Sequence, residues 1–199
     1  MHPSRLTKTS WCRSSAMQIP DLLRRSLKKR ASWERRNLIH MNIGDDGVNA
    51  LSQVLNGKTT QIANLCLAVN DITDMGARSI ASCLPSDKCM LSLDLESNSI
   101  EAGGAEALAK ELVRNDKLTI LNLALNSIGP AGAAAFSRLF VQGTKLASID
   151  LRGNGLTEVG ATALAETLAN ASSLTELGIA ENGIGAGALA LASALPRSR

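Results

Sequence analysis

The chain has 199 residues, 45% of them hydrophobic and 20% charged, with 21 Lys and Arg against 18 Asp and Glu. That is enough apolar material for a core of ordinary domain size, and the near balance of charge excludes a chain kept unfolded by self-repulsion. Two Phe, two Trp, no Tyr and two His exclude aromatic cages, base-stacking platforms and nearly all histidine chemistry, because the rings those mechanisms need are missing.

The charge is unevenly placed. Residues 1–36, read as a basic N-terminal arm, hold ten Lys or Arg and two acids, leaving +8, whereas the other 163 residues hold 11 basic and 16 acidic side chains, leaving −5. Residues 1–20 are basic, rich in Ser and Thr and free of acid, a composition shared by organelle transit peptides. Pro20 and Asp21 then open a stretch in which Leu22, Leu23, Leu27 and Ala31 alternate with Arg24, Arg25, Lys28, Lys29 and Arg30. This predicts a short basic amphipathic helix. It either caps the body that follows or docks on an anionic surface: acidic protein, nucleic-acid backbone or lipid.

Cys12, Cys66, Cys83 and Cys89 have no metal-ligand spacing and read as free thiols of a reducing compartment, with Cys83 expected in the core. Residues 1–20 contain no apolar run of signal-peptide length, and the longest apolar stretch, Ala186 to Leu195, falls far short of the roughly 20 residues that span a bilayer. No transmembrane segment is expected.

From residue 37 the chain repeats. Asn70, Asn98, Asn126, Asn154 and Asn182 follow one another at intervals of 28 residues. Eight, five and three residues before each stand Ile62, Leu65, Leu67; Met90, Leu93, Leu95; Leu118, Leu121, Leu123; Leu146, Ile149, Leu151; and Leu174, Leu177, Ile179. Two residues after each come Ile72, Ile100, Ile128, Leu156 and Ile184. All twenty positions are aliphatic. Alternation such as Leu121-Asn122-Leu123 predicts a short strand with the leucines inward. The Asn ends it and offers its amide to backbone groups at the turn. Gly76, Gly104, Gly132 and Gly160 then open a stretch with apolar residues at i, i+3, i+4 and i+7, for example Ala161, Leu164, Ala165 and Leu168, which is one helical stripe. Each unit leaves its stripe uncovered unless a neighbour stacks on it, so the units form a solenoid.

The pattern L-x-x-L-x-L-x-x-N-x-[IL] at this period resembles the leucine-rich repeat, of the long ribonuclease-inhibitor-like subtype seen also in NOD-like receptors and Ran GTPase-activating proteins. The resemblance implies an α/β solenoid with parallel strands on the concave face and helices on the convex face. Residues 37–199 would hold one degenerate and five 28-residue repeats. In the degenerate unit Ile43, Gly47, Val48, Leu51 and Leu55 align, with Trp33 and Leu38 at apolar places. Met41 falls where Asn is expected, and Asn42 would require a shift of one residue. The last repeat is one residue short, and Pro196 stops its helix. It would leave an exposed solenoid end at Leu191, Leu195 and the strand around Gly178, guarded only by Glu176.

Outward strand positions supply the candidate concave-face binding set: Asp94, Glu96, Asn122, Asp150, Arg152 and Glu176. They make a modestly acidic surface without a nucleophile, a general base or a metal cluster, so no catalytic residue, metal, cofactor or small-molecule substrate is expected. The Gly183 to Gly187 run is in phase with the other turns and reads as a repeat turn rather than a phosphate loop. The expected function is a non-enzymatic protein–protein interaction scaffold, a small structural subunit of a larger intracellular assembly. Cytoplasmic or cytoskeletal and ciliary assemblies are favoured, and the basic Ser-rich N-terminus keeps mitochondria or another organelle open. The alternative is a regulatory receptor or inhibitor that captures one ligand on its concave face. The Ran GTPase-activating relatives are much longer, and five full repeats do not suffice for their extended surface.

Overall fold

Period-two alternation cannot continue into the Gly- and Ala-rich stretch after each Asn, and there the chain changes from strand to helix. The computed structural model describes residues 35–56, 62–168 and 171–194. Their elements alternate strictly: β1 (Arg35–Asn37), α1 (Gly44–Leu55), β2 (Asn64–Cys66), α2 (Asp74–Ala81), β3 (Ser92–Asp94), α3 (Ala102–Leu112), β4 (Ile120–Asn122), α4 (Gly129–Gln142), β5 (Ser148–Asp150), α5 (Thr157–Leu168), β6 (Glu176–Gly178) and α6 (Gly187–Ala194). The six strands form one parallel sheet in sequence order, and each helix packs on the next along the other face. This is the expected α/β solenoid. Among the described residues no helix is long and apolar enough to cross a membrane.

The core lies between sheet and helices. The inward residues Leu65, Leu93, Leu121 and Ile149 are at most 2% exposed, as are Leu67, Leu95, Leu123, Leu151 and the post-Asn residues Ile72, Ile100, Ile128 and Leu156. At about 1.5–3 kcal/mol for each aliphatic side chain buried, this stack outweighs the surface ion pairs, worth about 0–1 kcal/mol each. Cys83 is buried as expected.

The Asn residues stitch one repeat to the next. Asn98 Oδ1 accepts the N–H groups of Asn70 and Ile72, both at 3.0 Å, while its Nδ2 reaches the carbonyls of Leu67, Leu95 and Glu96. The same scheme fixes the first repeat, because Asn70 Oδ1 accepts from Met41 and Ile43. Met41 therefore takes the Asn place and Asn42 does not. Strand β1 pairs Arg35 with Asn64, so the sheet begins within the range assigned to the basic arm.

The helix starts are held in two ways. Asp45 on α1 accepts the N–H groups of Thr73 and Gly76, each at 2.9 Å, and Asp74 on α2 accepts that of Glu101 at 2.8 Å, so each carboxylate caps the following repeat's helix. Where that acid is missing, Gly129 and Thr157 turn to φ of 62° and 58° and donate instead to the carbonyls of Asn154 and Asn182. The glycines of the first helical turn serve close approach. A Cβ on Gly160 would lie 3.0 Å from that of Ala133, and one on Gly187 2.7 Å from that of Ala161.

Candidate functional site

Strand register places the candidate residues in rows across the concave face. Asn64, Ser92, Ile120, Ser148 and Glu176 form one row, and Cys66, Asp94, Asn122, Asp150 and Gly178 the next. The strands end there, so Glu96 and Arg152 lie just past them, in phase with Ala68, Ala124 and Ala180. Ala68 and Ala124 are buried, at 6% and 0% exposure, rather than lining the surface.

Most of the acidic surface is committed to the protein itself. Asp94, Asn122 and Asp150 each accept, through a side-chain oxygen, the N–H two residues on, at 3.1, 3.0 and 2.9 Å. These are Asx turns that close the strands. The second carboxylate oxygen of Asp94 accepts the Cys66 thiol at 2.9 Å. Burial, and then that bond, push the Cys66 pKa up to about 11. Glu96 is held twice: Arg152 Nη2 donates to its Oε1 at 3.3 Å and Asn122 Nδ2 to its Oε2 at 3.1 Å. The Arg152–Glu96 pair spans the whole intervening repeat at Ala124. Glu176, exposed on the last strand, accepts from Ser148 Oγ at 2.8 Å. The expected set is therefore brought together, as a braced polar frame more than a row of free acids.

Beside that frame the structure exposes an apolar spot. Ile120 is 47% exposed and Leu91, one position before the neighbouring Ser92, is 46% exposed. The alternation already turns Ile120 outward, and an aliphatic where the other repeats carry Asn, Ser, Ser and Glu was the available signal. At the rim, Val69 and Leu125 are also exposed and hold left-handed φ angles of 57° and 56°, an unfavourable conformation for such side chains. Among the described residues no three His, Cys, Asp or Glu lie close enough to share a metal ion.

The solenoid end differs from expectation. Leu191 is buried at 6% exposure, because its stripe turns onto its own repeat's core rather than outward. Gly178 does not offer the free edge. Glu176 N–H donates to Ala147 and the Gly178 carbonyl accepts from Leu151, so both residues face β5. Neighbouring residues in a parallel strand bond to opposite sides, which leaves the edge groups to Leu177. The open apolar face consists of half-buried Leu174, Leu177 and Ile179. Leu195 and the arm residues Arg24, Arg25, Lys28, Lys29 and Arg30 lie outside the described residues, as do Trp33 and Cys12.

The Leucine Rich repeat family matches residues 86–109, 114–137 and 144–165. No curated protein matches the chain. Among solved structures the chain is similar to the actin-binding site 2 of leiomodin-1, at 18% identity and a TM-score of 0.58, covering 92% of this chain and 88% of that one. It is also similar to the C-terminal domain of tropomodulin from Caenorhabditis elegans, at 15% identity and a TM-score of 0.52, covering 92% of each chain. At such identities the likeness is one of fold.

Proposed function

We propose that this leucine-rich repeat protein is a non-enzymatic protein-interaction module, a structural subunit of an intracellular, cytoskeletal assembly, that seats a protein partner on its concave face. The observation that carries this reading is the exposed pair Ile120 and Leu91, set beside the fixed Glu96–Asn122–Arg152 network. An apolar contact flanked by positioned polar groups is the kind of surface on which protein-binding hot spots form. The frame is braced before binding, so little side-chain entropy is lost when a partner arrives. Glu176 and the free oxygen of Asp150 favour a basic or amide-bearing segment. The 28-residue period with a helix in each repeat supports the ribonuclease-inhibitor-like subtype.

Actin is the first partner to test, since one structural neighbour is an actin-binding site. The experiment combines actin co-sedimentation with proximity labelling in cells, for the wild type and Ile120→Asp. Ile120 is exposed, so the variant should melt as the wild type does. At least one protein labelled by the wild type, actin or another, should be lost with Ile120→Asp. An identical set of neighbours for both chains would overturn the concave-face reading.

A further inference from the structure

We infer that the open end of the solenoid is a groove for the basic amphipathic stretch, residues 20–32, of a second copy, so that copies join head to tail. At that end lies a cavity of about 580 Å³ lined by Leu168, Ala171, Leu174, Leu177, Ile179 and Leu191. Leu174, Leu177 and Ile179 are only half-buried, whereas their counterparts in the four preceding repeats are at most 2% exposed. Among the described residues the groove is thus an apolar face beside a strand edge without a partner, a feature that proteins cover.

Charge selects the occupant. From Gly153 to Arg199 the sequence has Glu158, Glu166, Glu176 and Glu181 against Arg197 and Arg199, and exposed Glu176 stands on the groove's own wall. The opposite composition occurs in this chain's first 36 residues, with ten basic side chains against two acids. There Leu22, Leu23, Leu27 and Ala31 make an apolar stripe flanked by Arg24, Arg25, Lys28, Lys29 and Arg30. An apolar stripe with cationic flanks fits an apolar groove with an acidic wall, the pairing by which grooves take amphipathic segments.

The stretch cannot seat in its own chain's groove. Its stripe ends four residues before Arg35, a link of at most about 14 Å when fully extended. Five strand spacings place β6 about 24 Å from β1. The donor is therefore another copy, and such a heterologous contact repeats into a ring or a filament.

Sedimentation velocity on the full chain tests this. The wild type should show a mass that rises with concentration and falls between about 0.05 M and about 0.5 M salt, where screening shortens from above 10 Å to below 8 Å. A groove variant, Ser172→Arg with Glu176→Arg, changes two exposed residues, and an arm variant carries Leu22→Ser with Leu27→Ser. Each alone should associate at least about tenfold more weakly than the wild type, with unchanged melting. Mixed, they should form a one-to-one dimer that grows no further, because the groove variant's intact arm meets the arm variant's intact groove. A wild type that stays monomeric, an association indifferent to salt, or a mixture of two folded variants that does not pair would overturn the inference.

Discussion

Asn126 joins two repeats with one amide. Its Nδ2 reaches the carbonyls of Leu95, Leu123 and Ala124 at 3.0, 3.0 and 3.2 Å, and its Oδ1 takes the Ile100 N–H at 3.0 Å. Replacing it by Leu leaves these buried groups unpaired and should cost about 1–3 kcal/mol. Ser127→Leu, one residue on and exposed, should stay within about 0.5 kcal/mol of the wild type. Coincident urea midpoints for the two variants would remove the role assigned to Asn126. Cys66 carries a second prediction at this scale. Its unfolded thiol ionises near 9.0, but the folded one holds its proton to about 11. Between those values the unfolded chain sheds its proton first, so this thiol's contribution, complete below pH 9, is lost as the pH rises to 11. Cys66→Ser should flatten the fall in stability between about pH 8 and about pH 11. Burial raises the Cys83 thiol too, so part of the slope should persist. A slope unchanged by the substitution would count against the burial that chiefly holds the Cys66 proton, and with it the bond to Asp94.

At the scale of the element, helix spacing is set by what is left out. Gly132 lies in the first turn of α4, where helix propensity alone would reward alanine by about 1 kcal/mol. A Cβ there would run into Ile128 Cγ2 and lie 3.1 Å from the Ala105 Cβ of the preceding helix. Overpacking of this kind costs about 1–3 kcal/mol. Gly132→Ala should therefore lower the melting temperature, against the propensity scale. A rise would mean that neighbouring helices can part without loss, and that the Gly–Ala contacts between repeats are incidental.

For the whole molecule, stability is a sum over repeats and their interfaces, so the same substitution should cost different amounts along the stack. Leu121, in the centre, is fully buried, and Leu177, in the last strand, is only half-buried with a neighbour on one side. Leu121→Ala should destabilise by about 2–5 kcal/mol and Leu177→Ala by clearly less. Amide exchange should show the matching gradient, slowest in β3 to β5 and fastest in β6 and α6. Equal costs at the two positions would mean that the last repeat is covered as well as the central ones. A protein that associates through its end would show that equality only when concentrated, so dilute samples separate the two cases.

The phase of the repeats, the strand and helix within each, and the aliphatic core from Ile62 to Leu156 were all legible in the sequence. They follow from the direction in which each side chain points, and that direction is local: period two in a strand, 3.6 in a helix. The Asn ladder was legible for the same reason, since an Asn at a strand end has backbone groups within its own reach. What the tertiary structure alone decided is who meets whom once units 28 residues apart are laid side by side. Stacking made Asp45 and Asp74 caps for helices they do not begin, took Glu96 out of the free acidic surface by bringing Arg152 across an intervening repeat, and left Ile120 uncovered between serines. It also turned Leu191 inward and gave the open strand edge to Leu177. Those outcomes depend on distances between residues remote in sequence, which a linear pattern aligns in phase without saying which side chains are long enough to touch.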